Sequence, residues 1–270
     1  MQLRDSVVLI TGAGRGWGRS IAVAFARESA KVIIVSRTEA EIQETAQLIK
    51  DEGGDAYALS ADLGTDEGIN KTFITVQEKY NQLDVLINNA AILKYKEFNN
   101  TSEEDIKLLT NVNLLSYLLL CKKFLRGMIE RQRGCIINVS SNAGIWPFEK
   151  ETVYAATKFA IEGFSKSLAL EVRGYGIPVN TITPGGTEKG IRIKPTNMLE
   201  SEFEGLDPAE RDKYTDSIKY TEAFLYLASQ EGARITGERV LAYELSESIR
   251  REGWDVEYQH LEQVRPEWMK

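Results

Sequence analysis

The chain has 270 residues, 43% of them hydrophobic, and a net charge of −7, enough apolar material for one large core or two small ones. Its pI near 5.1 argues against a nucleic-acid partner, because phosphate contacts need clustered lysine and arginine. The single histidine, His260, lies in a polar tail, which excludes Ser–His triads and histidine-based zinc sites as the main chemistry; no metal site is expected, and Cys121 and Cys135, both inside apolar runs, read as buried core thiols.

Residues 6–10 predict a short apolar strand, too short for a signal peptide or a membrane span, which points to a cytoplasmic protein. The strand runs into Thr11-Gly-Ala-Gly-Arg-Gly-Trp-Gly18, and residues 20–28 follow with helical apolar spacing through Ile21, Ala24 and Phe25. At the start of such a helix the backbone N–H groups point outward with partial positive charge, and glycines let a dinucleotide pyrophosphate come close to them. The pattern is T-G-x-x-x-G-x-G. Trp17 breaks a G-x-G-x-x-G count begun at Gly12, and no Gly-Lys-Ser/Thr follows, which excludes a Walker-type loop. A glycine turn with only a structural role is the competing reading.

Residues 31–36 predict the second strand, and Thr38 with Glu41 forms a capping-box pattern opening a helix to about residue 52. The strand ends in Ser36-Arg37-Thr38, where an NAD-binding protein usually carries an acidic residue for the ribose hydroxyls. Arg37, helped by Arg15, suits the additional phosphate of NADP instead, so NADP(H) is expected over NAD(H). Arg37 as a solvated loop charge is the alternative.

Residues 55–60 predict a third strand ending in Ala61-Asp62-Leu63, Thr65 starts a helix to about residue 80, and residues 85–87 form a fourth strand entering Asn88-Asn-Ala-Ala91. The βαβα alternation points to an α/β fold with a doubly wound parallel sheet. A long helix over about residues 102–133 is apolar on nearly all sides around Leu114 to Leu120; one face covers the sheet, and the other meets either a partner subunit or internal core. A fifth strand (135–139), a helix (153–172) and a sixth strand (178–183) follow, the last broken by Pro184-Gly185-Gly186. Tyr154 and Lys158 stand at i and i+4 on the helix, about 6 Å of rise apart on one face, so both reach one small molecule. Their adjacency is expected to lower the phenol's pKa, and Ser141 adds a hydroxyl.

From 187 to about 216 the pattern weakens into a candidate substrate-covering loop. A helix (217–228), a turn at 235–237 and a last strand (239–243) follow, and residues 244–270 form a charged tail containing Trp254, Tyr258 and Trp268, either docked or partly disordered. Trp146 and Phe148 favour an apolar or aromatic ligand if they are not core residues.

Together, Thr11 to Gly18, Asp62, Asn88-Asn89-Ala90, Asn113, Ser141, Tyr154 with Lys158, and Pro184-Gly185 resemble the short-chain dehydrogenase/reductase family over roughly residues 5–243. The resemblance implies a single Rossmann-like domain (1–243) of about seven parallel strands with helices on both faces, a substrate loop at about 185–216, and an atypical tail at 244–270. It implies that Tyr154 is general acid in reduction and base in oxidation, that Ser141 holds the carbonyl oxygen, that Lys158 bonds the nicotinamide ribose and tunes the phenol, and that Asn113 completes the tetrad. Gly12, Gly16, Trp17 and Gly18 then hold the phosphates, and Asp62 with Leu63 holds the adenine. Asn88 and Ala90 line the cofactor wall, while Pro184, Gly185 and Thr187 hold the carboxamide. The implied partners are a small carbonyl or alcohol substrate and a second copy of the chain, as homodimer or homotetramer, with no membrane involved. Trp17, Ala91, Lys189 and the Tyr243-Glu244 ending depart from the family's usual pattern. A cofactor-binding regulator or scaffold with little turnover is the alternative reading.

Overall fold

The computed structural model describes residues 3–185, 192–193, 203–229 and 233–258. In chain order the elements are β1 (Val7–Thr11), α1 (Gly16–Arg27), β2 (Lys31–Ser36), α2 (Glu39–Asp51), β3 (Asp55–Ser60), α3 (Asp66–Tyr80), β4 (Val85–Asn88), α4 (Glu103–Thr110), α5 (Ser116–Arg131), β5 (Cys135–Val139), α6 (Thr152–Val172) and β6 (Val179–Thr183). After these come β7 (Arg192–Ile193), α7 (Pro208–Arg211), β8 (Tyr214–Thr215), α8 (Thr221–Ala228), β9 (Arg239–Leu241) and α9 (Ala242–Glu252).

Seven strands form one parallel sheet in the order β3-β2-β1-β4-β5-β6-β9. Parallel strands need crossover helices, and the helices cover both faces, so β1 is buried at every position and apolar at its first four. Its alternation sorts the core into two layers. Val8 and Ile10 pack with Ile21 and Phe25 of α1 and with Phe224 of α8, whereas Val7 and Leu9 face the layer holding Leu120 and Phe124 of α5 and Val172 of α6. The strand order reverses between β1 and β4, and open α/β sheets bind ligands beyond the strand ends at such a crevice.

The long helix is continuous from Glu103 to Arg131, long and apolar enough by composition to cross a membrane. Here Leu120, Cys121, Phe124 and Met128 lie against the sheet as core. Between α4 and α5 it widens into one π turn, Asn111–Leu115, a feature often found at functional sites.

Three expectations need correction. Thr38 stands at the N-cap of α2 but makes no capping bond; Glu41 turns instead toward Arg15, 3.6 Å away, so the capping box is not formed. The last strand stops at Leu241, and Ala242–Glu252 is a helix with Leu245 and Ile249 in the core. The expected charged tail therefore begins as a packed helix. Beyond it Trp254 stacks on Tyr226, rings 6.1 Å apart, and the Tyr258 hydroxyl donates to the Arg239 carbonyl at 3.1 Å. Trp268, His260, Thr187 and Lys189 lie outside the described residues, as do residues 186–191 and 194–202 of the expected substrate loop.

Candidate active site

At the end of β1 the chain turns at Gly12 (φ +67°) and Gly16 (φ +54°) into α1. A Cβ on Gly12 would lie 2.8 Å from the Ala90 Cα, and one on Gly14 would lie 2.9 Å from the Glu41 Cβ. Arg19 fastens the turn by donating to the Gly14 carbonyl through Nη2 (2.6 Å) and Nε (3.1 Å), and the Thr45 hydroxyl donates to the same oxygen. β4 is tied alongside: the Thr11 hydroxyl accepts from the amides of Asn89 (2.9 Å) and Ala90 (3.0 Å), and Asn89 Nδ2 donates to the Thr11 carbonyl (2.9 Å).

The cleft so formed is lined by Gly12, Gly14, Arg15, Trp17, Gly18, Ser36, Arg37, Thr38, Asp62, Leu63 and Ala90. The expected cofactor residues of the first ninety are thus gathered here, apart from Gly16 and Asn88. The Asn88 side chain is fully buried beneath the wall, donating to Asn138 Oδ1 at 2.9 Å. Asn89, Ala91, Ile92, Val112 and Glu41 also line the cleft, although no sequence pattern assigns them to it. The Asn-Asn-Ala-Ala run is a usable signal for the first two, whereas Glu41 is hidden by its capping-box pattern. Asp62 Oδ1 accepts from the Gly64 amide at 2.9 Å, which orients its carboxylate. The cradle fits a dinucleotide: where Cβ atoms would stand it offers open backbone, and its lining includes the Arg15 and Arg37 cations and the Asp62 carboxylate.

Trp17 turns its ring away from the phosphate turn and packs edge-on against Phe224 (4.9 Å) and Tyr220 (6.2 Å). The unusual aromatic at this position thus joins α1 to α8.

The other predicted residues do not line this cleft. Asn113, in the π turn and fully buried, accepts from the Ile92 amide at 2.7 Å and donates to the Ile92 carbonyl at 2.8 Å, clamping the strand that leaves β4. Ser141 caps a single 3-10 turn, Asn142–Gly144, its hydroxyl accepting from the Ala143 amide at 3.2 Å. Tyr154 and Lys158 share one face of α6, the ammonium 5.6 Å from the Tyr154 ring centre and 5.4 Å from that of Tyr117. Lys158 Nζ donates to the Val139 carbonyl at 2.8 Å. Pro184 accepts from the Tyr243 amide at 2.9 Å, and Gly185 takes φ +73°.

The expected depression of the phenol does not hold in this structure. Burial pushes Tyr154 up to about 12, although a hydrogen bond with Ser141 pulls the other way. Burial also brings Lys158 down to about 7, opposed by the Glu162 carboxylate. Desolvation is the leading cause of both shifts, with Lys158 fully buried and Tyr154 partly so. The Lys158 shift has a stability consequence. Between about pH 7 and the ordinary value of 10.5 the unfolded chain keeps a proton that the native state has shed, so the lysine's contribution to stability rises with pH there. Lys158→Met should therefore gain most relative to wild type below about pH 7, with the advantage shrinking toward about pH 10; a melting-temperature difference flat across that range would overturn the assignment.

A dinucleotide cradle at the sheet's switch point, in a chain that also pairs a phenol with a buried ammonium on α6, defines the class of Rossmann-type dehydrogenases. The sequence profile of the short chain dehydrogenase family matches residues 6–199, and the chain belongs to that family. It is an oxidoreductase acting on CH–OH and C=O groups. An uncharacterized oxidoreductase of Thermotoga maritima is 37% identical over 245 residues, covering 88% of this chain and 95% of that protein. The 3-oxoacyl-(acyl-carrier-protein) reductase of Vibrio cholerae is 33% identical, covering 88% and 96%. A metagenomic short-chain oxidoreductase crystallised with NADP superposes with a TM-score of 0.74 at 26% identity, over 89% of this chain and 97% of that one.

Proposed function

We propose that the chain is an NADP(H)-dependent reductase of a small carbonyl compound, or dehydrogenase of the matching secondary alcohol, with Tyr154 as the proton-transferring group. The observation that carries this reading is the grouping of a phenol, an ammonium and a hydroxyl: Lys158 lies 5.6 Å from the Tyr154 ring centre, and Ser141 hydrogen-bonds with the Tyr154 phenol. When bound, the nicotinamide supplies or accepts the hydride. A phenol pushed up to about 12 is protonated at neutral pH, the form needed to give a proton to a carbonyl oxygen. Ser141 holds that oxygen, Lys158 bonds the nicotinamide ribose, and Asn113 fixes the Ile92 backbone at the rim. Asp62 and Leu63 take the adenine, the backbone of Gly12 to Gly18 takes the phosphates, and Pro184 with Gly185 takes the carboxamide.

NADP(H) over NAD(H) is supported by Arg37 beyond β2 and by the NADP in the metagenomic relative. Arg15 is shared with Glu41 at 3.6 Å, while among the described residues no ion pair engages Arg37. Arg37→Asp should raise the NADPH KM by about 10–100-fold, the worth of one charge-assisted contact, and leave NADH nearly unchanged; an equal loss for both would refute the phosphate contact.

The deciding assay is oxidation of NADPH and NADH in parallel across β-ketoacyl thioesters, keto sugars, steroid and aromatic ketones, and diketones. Turnover of one class with NADPH supports the reading, and faster turnover with NADH overturns the cofactor assignment. Assembly as a cytoplasmic homodimer or homotetramer belongs to the same proposal. Its support is the outer face of α6, where Phe159 and Leu170 stand 47% and 68% exposed three turns apart. A monomer by light scattering would remove it.

A further inference from the structure

Behind the Ser141 turn lies a charged pair from distant parts of the chain. Arg239 opens β9 and Glu162 lies one turn beyond Lys158 on α6; they are 8% and 7% exposed, and Arg239 Nη1 meets Glu162 Oε1 at 2.5 Å. The other Glu162 oxygen accepts from the Thr181 hydroxyl of β6 at 2.8 Å. Replacing a buried ion pair by apolar residues is often neutral or stabilising, so stability alone is a weak reason for one here.

The guanidinium's remaining bonds supply a better reason. Arg239 Nη1 also donates to the carbonyl of Ser141 at 3.0 Å, and Nη2 reaches Asn142 Oδ1 at 3.4 Å. The same carbonyl accepts the Gly144 amide at 2.9 Å. On the far side of the turn, a Cβ on Gly144 would lie 3.2 Å from the Glu162 Cγ and 2.8 Å from the Ser140 hydroxyl, so the turn rests against the glutamate's stem. Both members of the pair therefore touch the turn, one through its donors and one through its packing.

We propose that Arg239, held in place by Glu162, is a positioning residue that fixes the peptide of Ser141 and so aims the serine hydroxyl at the site it shares with Tyr154. This rests on the reading of Ser141 as the group that holds the carbonyl oxygen. The planar guanidinium meets the carboxylate and the Ser141 carbonyl through Nη1 and Asn142 through Nη2; lysine's single ammonium on a differently shaped stem does not reproduce this fixed set of directions. The last strand thus serves the catalytic turn through a side chain, 98 residues away in sequence.

The test uses the paired variant Arg239→Met with Glu162→Met, which leaves no uncompensated buried charge, and Arg239→Lys, which keeps a cation for Glu162. Amide hydrogen exchange at Ala143, Gly144 and Ile145 should accelerate at least about tenfold in the paired variant while the amides of α1 stay protected. NADPH binding should be retained. With whichever carbonyl compound of the panel is consumed, kcat should fall about 10–100-fold in both variants, the cost of a misplaced group, with a smaller change in KM. In a Ser141→Ala background the paired change should add nothing, because its effect runs through the serine. Unaltered exchange, full kcat in Arg239→Lys, or an undiminished further loss in the Ser141→Ala background would each overturn the proposal. Failure of the underlying reading looks different: Ser141→Ala itself would then keep its turnover, while the exchange measurement still reports whether Arg239 holds the turn.

Discussion

Replacing Tyr154 with phenylalanine should lower turnover by about 10²–10⁴-fold, the usual contribution of a positioned acid or base, with NADPH binding intact. The substitution removes one oxygen and keeps the ring. Its surroundings are formed by Lys158, 5.6 Å from the ring centre, and by a helix whose Ala155 and Thr157 are buried, so the fold has no reason to rearrange. Only the proton donor and its bond with Ser141 are lost. Titrating the variant with NADPH by fluorescence, beside steady-state rates, separates two readings of the protein. A catalyst loses rate and keeps affinity; a cofactor-binding regulator keeps its output. Turnover within a few-fold of wild type would falsify the acid–base assignment outright.

The second large effect belongs to Gly18. A Cβ there would lie 2.2 Å from the Gly12 carbonyl oxygen, 2.8 Å from its carbonyl carbon and 2.6 Å from Asn89 Nδ2. Two of these are backbone atoms and the third is anchored on Thr11, so none can give way cheaply. Gly18→Ala should cost about 3 kcal/mol, the upper range for overpacking, and lower the melting temperature by roughly 6–12 °C. It should also weaken NADPH binding, because the same displacement opens the cradle. Gly163 is the internal control. It lies within α6, and nothing comes within 4 Å of the place a methyl group would occupy, so Gly163→Ala should stabilise by about 0.5–1 kcal/mol through helix propensity. Equal behaviour of the two variants in thermal unfolding would show that the clash is relieved by the backbone.

Much of this arrangement is legible in the sequence, for identifiable reasons. The strands β1, β2 and β4 announce themselves because a parallel sheet covered on both faces needs apolar runs, such as 7–10 and 32–35. The glycine turn and the Tyr–Lys spacing are local patterns that their own neighbours position. What sequence reading misses is decided at long range. Glu41 fits a capping box in one dimension, but in three an arginine from another turn lies 3.6 Å away. The helix Ala242–Glu252 has only a narrow apolar stripe, with Leu245 and Ile249 in the core, and its charged residues dominate the linear pattern. The direction of the Tyr154 and Lys158 shifts follows from enclosure, which no local pattern encodes. The Arg239–Glu162 contact joins positions 77 residues apart, and neither residue carries a sign of it.

The widened turn at Asn111–Leu115 gives the long helix a phase. A π turn holds about one residue more than an α turn, so the segments on either side are rotated by roughly 100° relative to an unbroken helix. Asn113 faces Ile92, and Leu120, Phe124 and Met128 face the sheet, only because that rotation is present. A single-residue deletion anywhere in the widened turn would therefore be felt sixteen residues downstream at Arg131. It would swing a whole hydrophobic stripe out of the core or pull the asparagine from the strand it clamps. The extra residue works as an offset between two gears.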